Sequence, residues 1–330
     1  MRGHTDSVAG VAFFNDGRRA VTGSWDETLR IWDVQEGTLL GKPFQGHQGS
    51  VYSVAVSPDD RRVASGGQDG TIIIWDVENK QIVFRLVKHT RDVNCVCFSP
   101  DGKRLASGSN DGTALIWDTE SRTVLTLVQE GFWNWVLSVA FSPDGLKLAL
   151  GTSSGSIRVC RTDNAELLLK FKAHKSDVCG IVWSPHGQQL ISASFDETVK
   201  FWNSFTGLQI GQPCTGHTDW IRSLAIALDG SFIATASNDK TIRLWSTKTY
   251  QQIGQPLEHP DAVLCVGIST NGALLSSGTG GENSYLWSIG NTLYRQDGQE
   301  GYKEEPGIEQ KLSEVVSLQF FLLFHHISCI

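Results

Sequence analysis

The sequence predicts an all-β fold, a seven-bladed β-propeller with four antiparallel strands in each blade and a short C-terminal tail. The main observation is a segment that occurs seven times with a period of 42 or 43 residues. Most copies open near a histidine and close at a tryptophan, and a period of this length is typical of one four-stranded blade. The closing residues are Trp32, Trp75, Trp117, Cys160, Trp202, Trp245 and Trp287.

The second copy shows how one repeat divides into strands. After His47, we expect strands at 51–56, 62–66, 71–75 and 81–86. An Asp-Gly pair, a strong hairpin signal, separates the second strand from the third. Both faces of such a sheet are covered by neighbouring blades, so its strands need not alternate strictly between polar and apolar residues.

The first strand of each copy alternates small and large residues. In the second copy, Ser53 and Ala55 share one parity, and Val54 and Val56 share the other. Successive side chains of a strand point to opposite faces, so each inner strand has a thin face and a thick face, and we expect the thick face of one strand to fit the thin face of its neighbour. We also expect the small parity to line the channel of the ring. Cysteines at small-parity positions are then small core residues. They are Cys95, Cys97 and Cys265.

Over residues 3–288 these repeats resemble those of the WD-repeat family of β-propellers. In that family a His, a Ser or Thr of the second strand, an Asp of the hairpin turn and the closing Trp form a buried hydrogen-bonded set. The resemblance implies five complete sets and a partial one. The complete sets are His4, Thr22, Asp26, Trp32; His47, Ser65, Asp69, Trp75; His89, Ser107, Asp111, Trp117; His174, Ser192, Asp196, Trp202; and His217, Thr235, Asp239, Trp245.

Two copies depart from the pattern. The seventh keeps His259, Ser277 and Trp287 but has Gly281 where the Asp belongs. The fourth has none of the four members, and its residues there are Phe132, Leu150, Ser154 and Cys160. Removing one partner of a buried hydrogen bond costs about 1–3 kcal/mol, whereas replacing the partners together can be nearly neutral. Because one copy lacks all four residues together, we infer that in the other copies these side chains are hydrogen-bonded to one another.

The composition narrows the classes of function. The net charge is −7 and no block of Lys or Arg occurs, so we expect no nucleic-acid partner. The seven cysteines follow no framework spacing, which indicates reduced thiols in the cytoplasm or nucleus. No charged-then-apolar signal peptide opens the sequence, and we expect no membrane partner and no cofactor.

The recurring His, Ser or Thr and Asp could be taken for a catalytic triad. A nucleophile site is normally single and needs an exposed nucleophile with an oxyanion pocket, whereas these near-copies are each closed by a tryptophan. The histidines of the sets stand 42 or more residues apart on different blades, which argues against a metal site. We therefore predict no catalytic residues, no metal ligands and no enzyme activity.

Aromatic residues mark one face of the predicted ring as a binding surface. We call it the His/Asp face, because the loops with the histidines and the turns with the aspartates must emerge on the same side. Aromatic and Arg side chains on a rigid rim are typical interface anchors. The alternative is that some of them fold over loops or close the channel mouth. The predicted partner-binding residues are Trp25, Tyr52, Trp133, Trp135, Phe195, Trp220 and Arg222.

The two ends leave the closure of the ring open. The family resemblance implies that residues before the first Gly-His lend the outer strand of the last blade, yet the sequence opens Met1-Arg2-Gly3-His4. We therefore expect residues 289–296 to supply that strand from the C-terminal side. The alternative is that the chain is a piece of a longer array, of the kind appended to NACHT-type signalling NTPases.

We predict a propeller domain at residues 1–296 and a separate tail at 297–330. Residues 297–314 are acidic and suggest a linker, and residues 315–330 are apolar. A 16-residue segment is shorter than the roughly 20 residues that span a bilayer. Three interpretations of it stay open: a short helix that docks on the propeller, a tail anchor, or a segment unrelated to the repeat.

The sequence thus predicts a non-catalytic protein–protein interaction scaffold whose His/Asp face binds a protein or peptide within a multiprotein complex. One alternative is a substrate- or ligand-sensing receptor module of a larger assembly, either a ubiquitin ligase or a NACHT-type signalling NTPase. A propeller enzyme is a further alternative, and it would need an acidic, His-rich or metal-lined channel mouth.

Overall fold

The computed structural model confirms the seven-bladed propeller. It describes residues 1–129, 131 and 134–290, and its 27 named elements are all β-strands. These strands form seven sheets, and within each sheet the strands pair in chain order. Six sheets have four strands, and the seventh has three within the described residues. In this part of the chain no helix is long and apolar enough to cross a membrane.

Blades one to four follow one another along the chain. Blade one comprises β1 (Val8–Phe13), β2 (Arg19–Ser24), β3 (Thr28–Asp33) and the short β4 (Phe44–Gln45). Blade two comprises β5 (Val51–Val56), β6 (Arg62–Gly67), β7 (Thr71–Asp76) and β8 (Ile82–Val87). Blade three comprises β9 (Val93–Phe98), β10 (Arg104–Ser109), β11 (Thr113–Asp118) and β12 (Val124–Gln129). Blade four comprises β13 (Val136–Phe141), β14 (Lys147–Thr152), β15 (Ser156–Arg161) and β16 (Leu167–Lys172).

Blades five to seven complete the ring. Blade five comprises β17 (Val178–Trp183), β18 (Gln189–Ser194), β19 (Val199–Asn203) and β20 (Gln209–Cys214). Blade six comprises β21 (Ile221–Ile226), β22 (Phe232–Ser237), β23 (Thr241–Ser246) and β24 (Gln252–Glu258). Blade seven comprises β25 (Val263–Ile268), β26 (Leu274–Thr279) and β27 (Ser284–Ser288). The first strands contact one another around the ring, and β25 contacts β1.

The hydrophobic core lies between blades. Six clusters of buried side chains each join two neighbouring blades. Between blades one and two, Leu29 and Ile31 pack with Val54, Val63 and Trp75. Full burial of one such side chain stabilises the fold by about 1.5–3 kcal/mol. A blade therefore needs its neighbours to bury its apolar face, as the repeat pattern predicts.

Every first strand carries a β-bulge near its start. In blade one the ladder shifts between Val8 and Gly10, and the equivalent shift occurs in the other six blades. A bulge leaves one residue unpaired and turns its side chain away from the regular pattern. We call the seven unpaired residues the bulge ring. They are Ala9, Tyr52, Asn94, Leu137, Cys179, Arg222 and Leu264.

The first residues of the chain lie beside the third strand of blade seven. The Met1 amino group donates to the Ser284 carbonyl at 2.9 Å, and Ser284 N donates to the Met1 carbonyl at 3.2 Å. Arg2 forms an antiparallel bridge with Asn283. We expected no contribution to blade seven from this end, so the pairing of Met1 with Ser284 of β27 and of Arg2 with the preceding Asn283 corrects that expectation.

The predicted outer strand at 289–296 is described only at its start. Ile289 is fully buried, and its N–H donates to the Ala273 carbonyl at 2.9 Å. Residues 291–296 lie outside the described residues, so the closing strand stays a prediction. Residues Met1–Leu293 form one compact unit, and the remainder, Tyr294–Ile330, lies outside the described part of the chain.

Candidate functional site

Five blades each hold a buried hydrogen-bonded set of four side chains. In blade one, His4 Nδ1 lies 2.8 Å from Asp26 Oδ2, and His4 Nε2 lies 2.7 Å from Thr22 Oγ1. Trp32 Nε1 donates to the same Thr22 oxygen at 2.8 Å. The corresponding distances in blades two, three, five and six lie between 2.7 and 3.0 Å. Each set ties the entry loop of a blade to its second and third strands.

Donor counting assigns the protons of these sets. Trp32 Nε1–H can only donate, so Thr22 Oγ1 accepts from it and has its own hydrogen left for His4 Nε2. The imidazole then carries its proton on Nδ1 and donates it to Asp26. Thr28 Oγ1 donates to the other carboxylate oxygen at 2.6 Å. Each side-chain polar atom of the blade-one set thus has a hydrogen-bond partner.

The carboxyls of the sets are held in the ionised form. Burial alone would raise the pKa of Asp26, but hydrogen bonds from His4 and Thr28 hold that pKa well below its usual range. At His174, burial lowers the pKa in spite of the neighbouring carboxylate, which agrees with a neutral imidazole. The same balance of burial and hydrogen bonds lowers the pKa of Asp69, Asp111, Asp196 and Asp239.

Blade seven rearranges its partial set. His259 Nε2 lies 2.9 Å from Ser277 Oγ and accepts a hydrogen bond from Trp287 Nε1 at 3.3 Å. Because Gly281 offers no carboxylate, His259 Nδ1 donates instead to the Leu257 carbonyl at 3.1 Å. Burial lowers the pKa of His259, so this imidazole is also neutral.

Blade four has an apolar replacement for the set. Leu150 and Cys160 occupy the positions of the hydroxyl and the closing tryptophan, and both are buried. Ser154, at the position of the Asp, is exposed, and its Oγ lies 3.0 Å from Thr152 Oγ1. Phe132, at the position of the His, lies outside the described residues. The blade still forms its four strands, as the sequence predicts.

Three exposed tryptophans stand on the His/Asp face. Trp25 precedes Asp26 in its turn and is 43% exposed, Trp135 directly precedes β13 and is 38% exposed, and Trp220 directly precedes β21 and is 46% exposed. They stand on blades one, four and six. Trp133, which was also predicted to bind the partner, lies outside the described residues.

Phe195 and Trp220 form one aromatic platform across the boundary of blades five and six. Their rings stack with centroids 4.8 Å apart and planes 5° from parallel. The guanidinium carbon of Arg222 lies 5.0 Å from the Phe195 centroid and 5.1 Å from the Trp220 centroid. A cation equidistant from two stacked rings lies beside the stack, so Arg222 leaves the outer face of Trp220 uncovered. Sequence reasoning grouped these three residues without predicting their contact.

The bulge ring surrounds a cavity of about 170 Å³ on the axis of the propeller. Tyr52 and Arg222, both predicted as binding residues, belong to it and are half-buried. Large residues such as Ile181 and Leu224 line the cavity together with small ones such as Gly10. The expectation that only the small parity would line the channel is therefore wrong, since residues of both parities line the cavity.

Sequence reasoning missed several polar members of the cavity wall. Asn94 donates to the Val136 carbonyl of the next blade at 2.9 Å and to Asn110 Oδ1 at 2.8 Å. Cys179 likewise donates to the Ile221 carbonyl of the next blade at 2.6 Å. Both stand at the same position of the repeat as Tyr52 and Arg222. The 42–43-residue period could therefore have identified them from the sequence.

The thiols of the described residues suit a structural role. The six described cysteines form no disulfide. Burial raises the pKa of Cys97, Cys179 and Cys265 to about 12, so these thiols stay protonated and unreactive at neutral pH. No group of three or more His, Cys, Asp or Glu side chains within the described residues is placed to hold a metal ion.

Comparison with family models identifies the class of protein. A model described as the IFT122 first beta-propeller matches residues 28–212. A model described as WD domain, G-beta repeat matches residues 1–33 and 209–246. The first match covers more than half of the chain, and the chain belongs to the WD-repeat family of β-propellers.

Individual relatives match short segments. The chain is 35% identical to Denticleless protein homolog A of Xenopus laevis over 68 residues, which are 21% of this chain and 9% of that protein. It is 46% identical to the small ribosomal subunit protein RACK1 of Dictyostelium discoideum over 37 residues, which are 11% of each chain. The matched segments span about a tenth of the length of these relatives.

Proposed function

We propose that the chain is a non-catalytic protein–protein interaction scaffold that presents its His/Asp face to a protein or peptide partner. The observation that carries this proposal is the placement of the exposed tryptophans. Among the described residues, Trp25, Trp135 and Trp220 are the tryptophans with large exposed fractions, and all three stand on that face. Trp is enriched among the residues that dominate binding energy at protein interfaces.

The polar sets support a structural role rather than a catalytic one. The hydroxyl residues Thr22, Ser65 and Ser107 are 0% exposed, and each hydroxyl oxygen is held between its His and its Trp. A nucleophile must reach its substrate and stand beside an oxyanion pocket. These hydroxyls are sealed inside their blades, so their function is to fix the loops of the His/Asp face.

The setting that we propose is a multiprotein complex in the cytoplasm or nucleus. One relative is named as a small ribosomal subunit protein, which supports a place for this chain in a larger assembly. Thiols that form no disulfide within the described residues fit a reducing compartment. The net charge of −7 disfavours nucleic acid as the partner.

A second candidate is a receptor module of a larger assembly, such as a ubiquitin ligase or a NACHT-type signalling NTPase. It is favoured by the family model, whose description numbers its propeller as the first of that protein. Native purification of the endogenous protein tests it. Ubiquitin-ligase or NTPase subunits that stay bound through gel filtration support the receptor role, and their absence from the complex removes it.

Affinity purification with matched variants tests the binding face. Trp25→Ala and Trp220→Ala should lose partners that the wild type captures, because such anchors commonly contribute 2 kcal/mol or more when truncated. Asp101→Ala with Lys103→Ala is the control, since both residues lie on the turn of blade three at the opposite face. Partners lost from the control but retained by folded Trp25→Ala and Trp220→Ala would show that the wrong face was chosen.

A further inference from the structure

Arg222 is the charged member of the bulge ring, and its position is fixed from two sides. Its Nε donates to Asn238 Oδ1 at 2.9 Å, and its guanidinium lies beside the stacked rings of Phe195 and Trp220. A side chain held in this way has already lost most of its rotamer freedom, so a ligand that binds it loses little further entropy.

The charge of Arg222 has no ion-pair partner within 4.0 Å among the described residues. The side chain is half-buried, and burial lowers the pKa of its guanidinium, an effect that Asp219 nearby only partly offsets. A partly desolvated cation gains more from an anion than a fully hydrated one does. The channel mouth is therefore set up to receive a negative group.

The geometry narrows the ligand to a side chain with a single negative charge. The cavity of about 170 Å³ is well below the roughly 300–1,000 Å³ of sites for drug-sized molecules, so it takes one side chain and not a whole metabolite. A guanidinium pairs with a carboxylate through two parallel hydrogen bonds. A phosphate group carries about 1.5 to 2 negative charges at neutral pH, so beside Asp219 it would leave more negative charge uncompensated by the single cation than a carboxylate does.

We propose that Arg222 binds an Asp or Glu side chain of the partner at the mouth of the channel, while a neighbouring apolar or aromatic residue of the partner packs on the uncovered face of Trp220. This inference rests on the proposed function and names the chemistry of the segment that the His/Asp face recognises. The partner segment is thus acidic and apolar, although the chain itself carries a net negative charge.

Selection of peptides from a random phage-displayed library tests the proposal. Wild-type protein should enrich peptides with Asp or Glu beside an apolar or aromatic residue, and Arg222→Gln should enrich no acidic position. One enriched peptide and its Glu→Gln or Asp→Asn analogue are then titrated against both proteins. We expect the wild type to prefer the acidic peptide by about tenfold or more, and Arg222→Gln to bind both equally, since close charge pairs couple by more than about 1.4 kcal/mol. Arg222→Lys should restore part of the preference.

The outcomes separate this inference from the proposed function. Neutral or basic peptides that depend on Trp25 and Trp220 overturn the role of Arg222 but leave the binding face intact. Basic peptides are the outcome that the exposed acids Asp6, Glu27 and Glu197 of the same face would favour. Equal preference for the acidic peptide in wild type and Arg222→Gln also overturns the inference. Peptides lost with Asp101→Ala and Lys103→Ala, or no enriched peptide at all, overturn both proposals.

Discussion

Phe195 of blade five lies flat against Trp220 of blade six, with ring centroids 4.8 Å apart and planes 5° from parallel. Phe195 belongs to a turn between second and third strands, and Trp220 precedes a first strand. Two loops that belong to different repeats are therefore joined by one contact. The contact turns two loop positions into a single surface with fixed orientation.

Removing either ring should lower the free energy of unfolding by more than the loss of its own buried area would, because the stacking contact is lost as well. We expect a coupling energy of about 0.5–1.5 kcal/mol between Phe195→Ala and Trp220→Ala in a double-mutant cycle on the free energy of unfolding. Trp25→Ala combined with Trp220→Ala is the control and should be additive to within about 0.5 kcal/mol, because blades one and six are not neighbours in the ring. Zero coupling between Phe195 and Trp220 would contradict the stack.

Substitutions at equivalent turn positions should differ in their effect on the free energy of unfolding, according to whether the blade holds a polar set. Asp111→Ala leaves the Nδ1–H of His89 and the hydroxyl of Thr113 without their acceptor, and we expect a loss of about 1–3 kcal/mol. Ser154→Ala at the same position of blade four removes exposed contacts with the hydroxyls of Thr152 and Ser156, which water can replace, and should cost much less. Denaturant midpoints measured at equal slope compare the two variants. Equal midpoints would show that the set does not stabilise blade three.

Stability should fall as the solution becomes acidic, in two stages. Burial lowers the pKa of His174 and His259 below the unfolded value of 6.5, so the unfolded chain binds more protons and stability decreases as the pH falls below 6.5. The set carboxyls have a pKa below the unfolded value of 3.8, so their contribution is present above 3.8 and is lost as the pH falls further. Thermal unfolding between pH 7.5 and pH 3 measures both stages.

A variant separates the first stage from general acid effects. His259→Gln removes one of the two histidines with a lowered pKa, so the midpoint should fall less steeply between pH 7 and pH 5 than in the wild type. An unchanged slope in that range would mean that His259 is not held neutral in the folded protein.

Closure of the ring can be tested by truncation. If residues 289–296 supply the outer strand of blade seven, then truncation after Ser288 should lower hydrogen-exchange protection in β27 and β1, and truncation after Gly290 should retain only the part that buried Ile289 provides. The amides of β19 in blade five serve as the internal reference. Full protection of β27 in both truncations would mean that Met1 and Arg2 pair with it without help from that strand.

Contacts within one blade could be predicted from residues at equivalent positions of the repeats. His47, Ser65, Asp69 and Trp75 could be assigned through the resemblance to the WD-repeat family, because a single repeat contains the whole set at a constant spacing. Contacts between repeats were harder to predict. The stack of Phe195 on Trp220 depends on how two blades are juxtaposed, and no pattern inside one repeat encodes that distance.

The bulge was missed for a related reason. A one-residue insertion in a strand leaves the composition of the strand unchanged, so the alternation around Tyr52 and Arg222 read as regular. The pairing of Met1 with Ser284 follows the family pattern, which we had set aside because only Met1 and Arg2 stand before Gly3 and His4 in the sequence.

In blade four, the confinement of each polar set to a single blade has a visible effect. The apolar replacement there has left the four strands and the neighbouring clusters in place. One repeat can therefore replace its hydrogen-bonded set with apolar packing without compensating changes in the other blades. For protein engineering, a new recognition loop can therefore be grafted onto one blade together with its own polar set, without changes to the polar sets of the other blades.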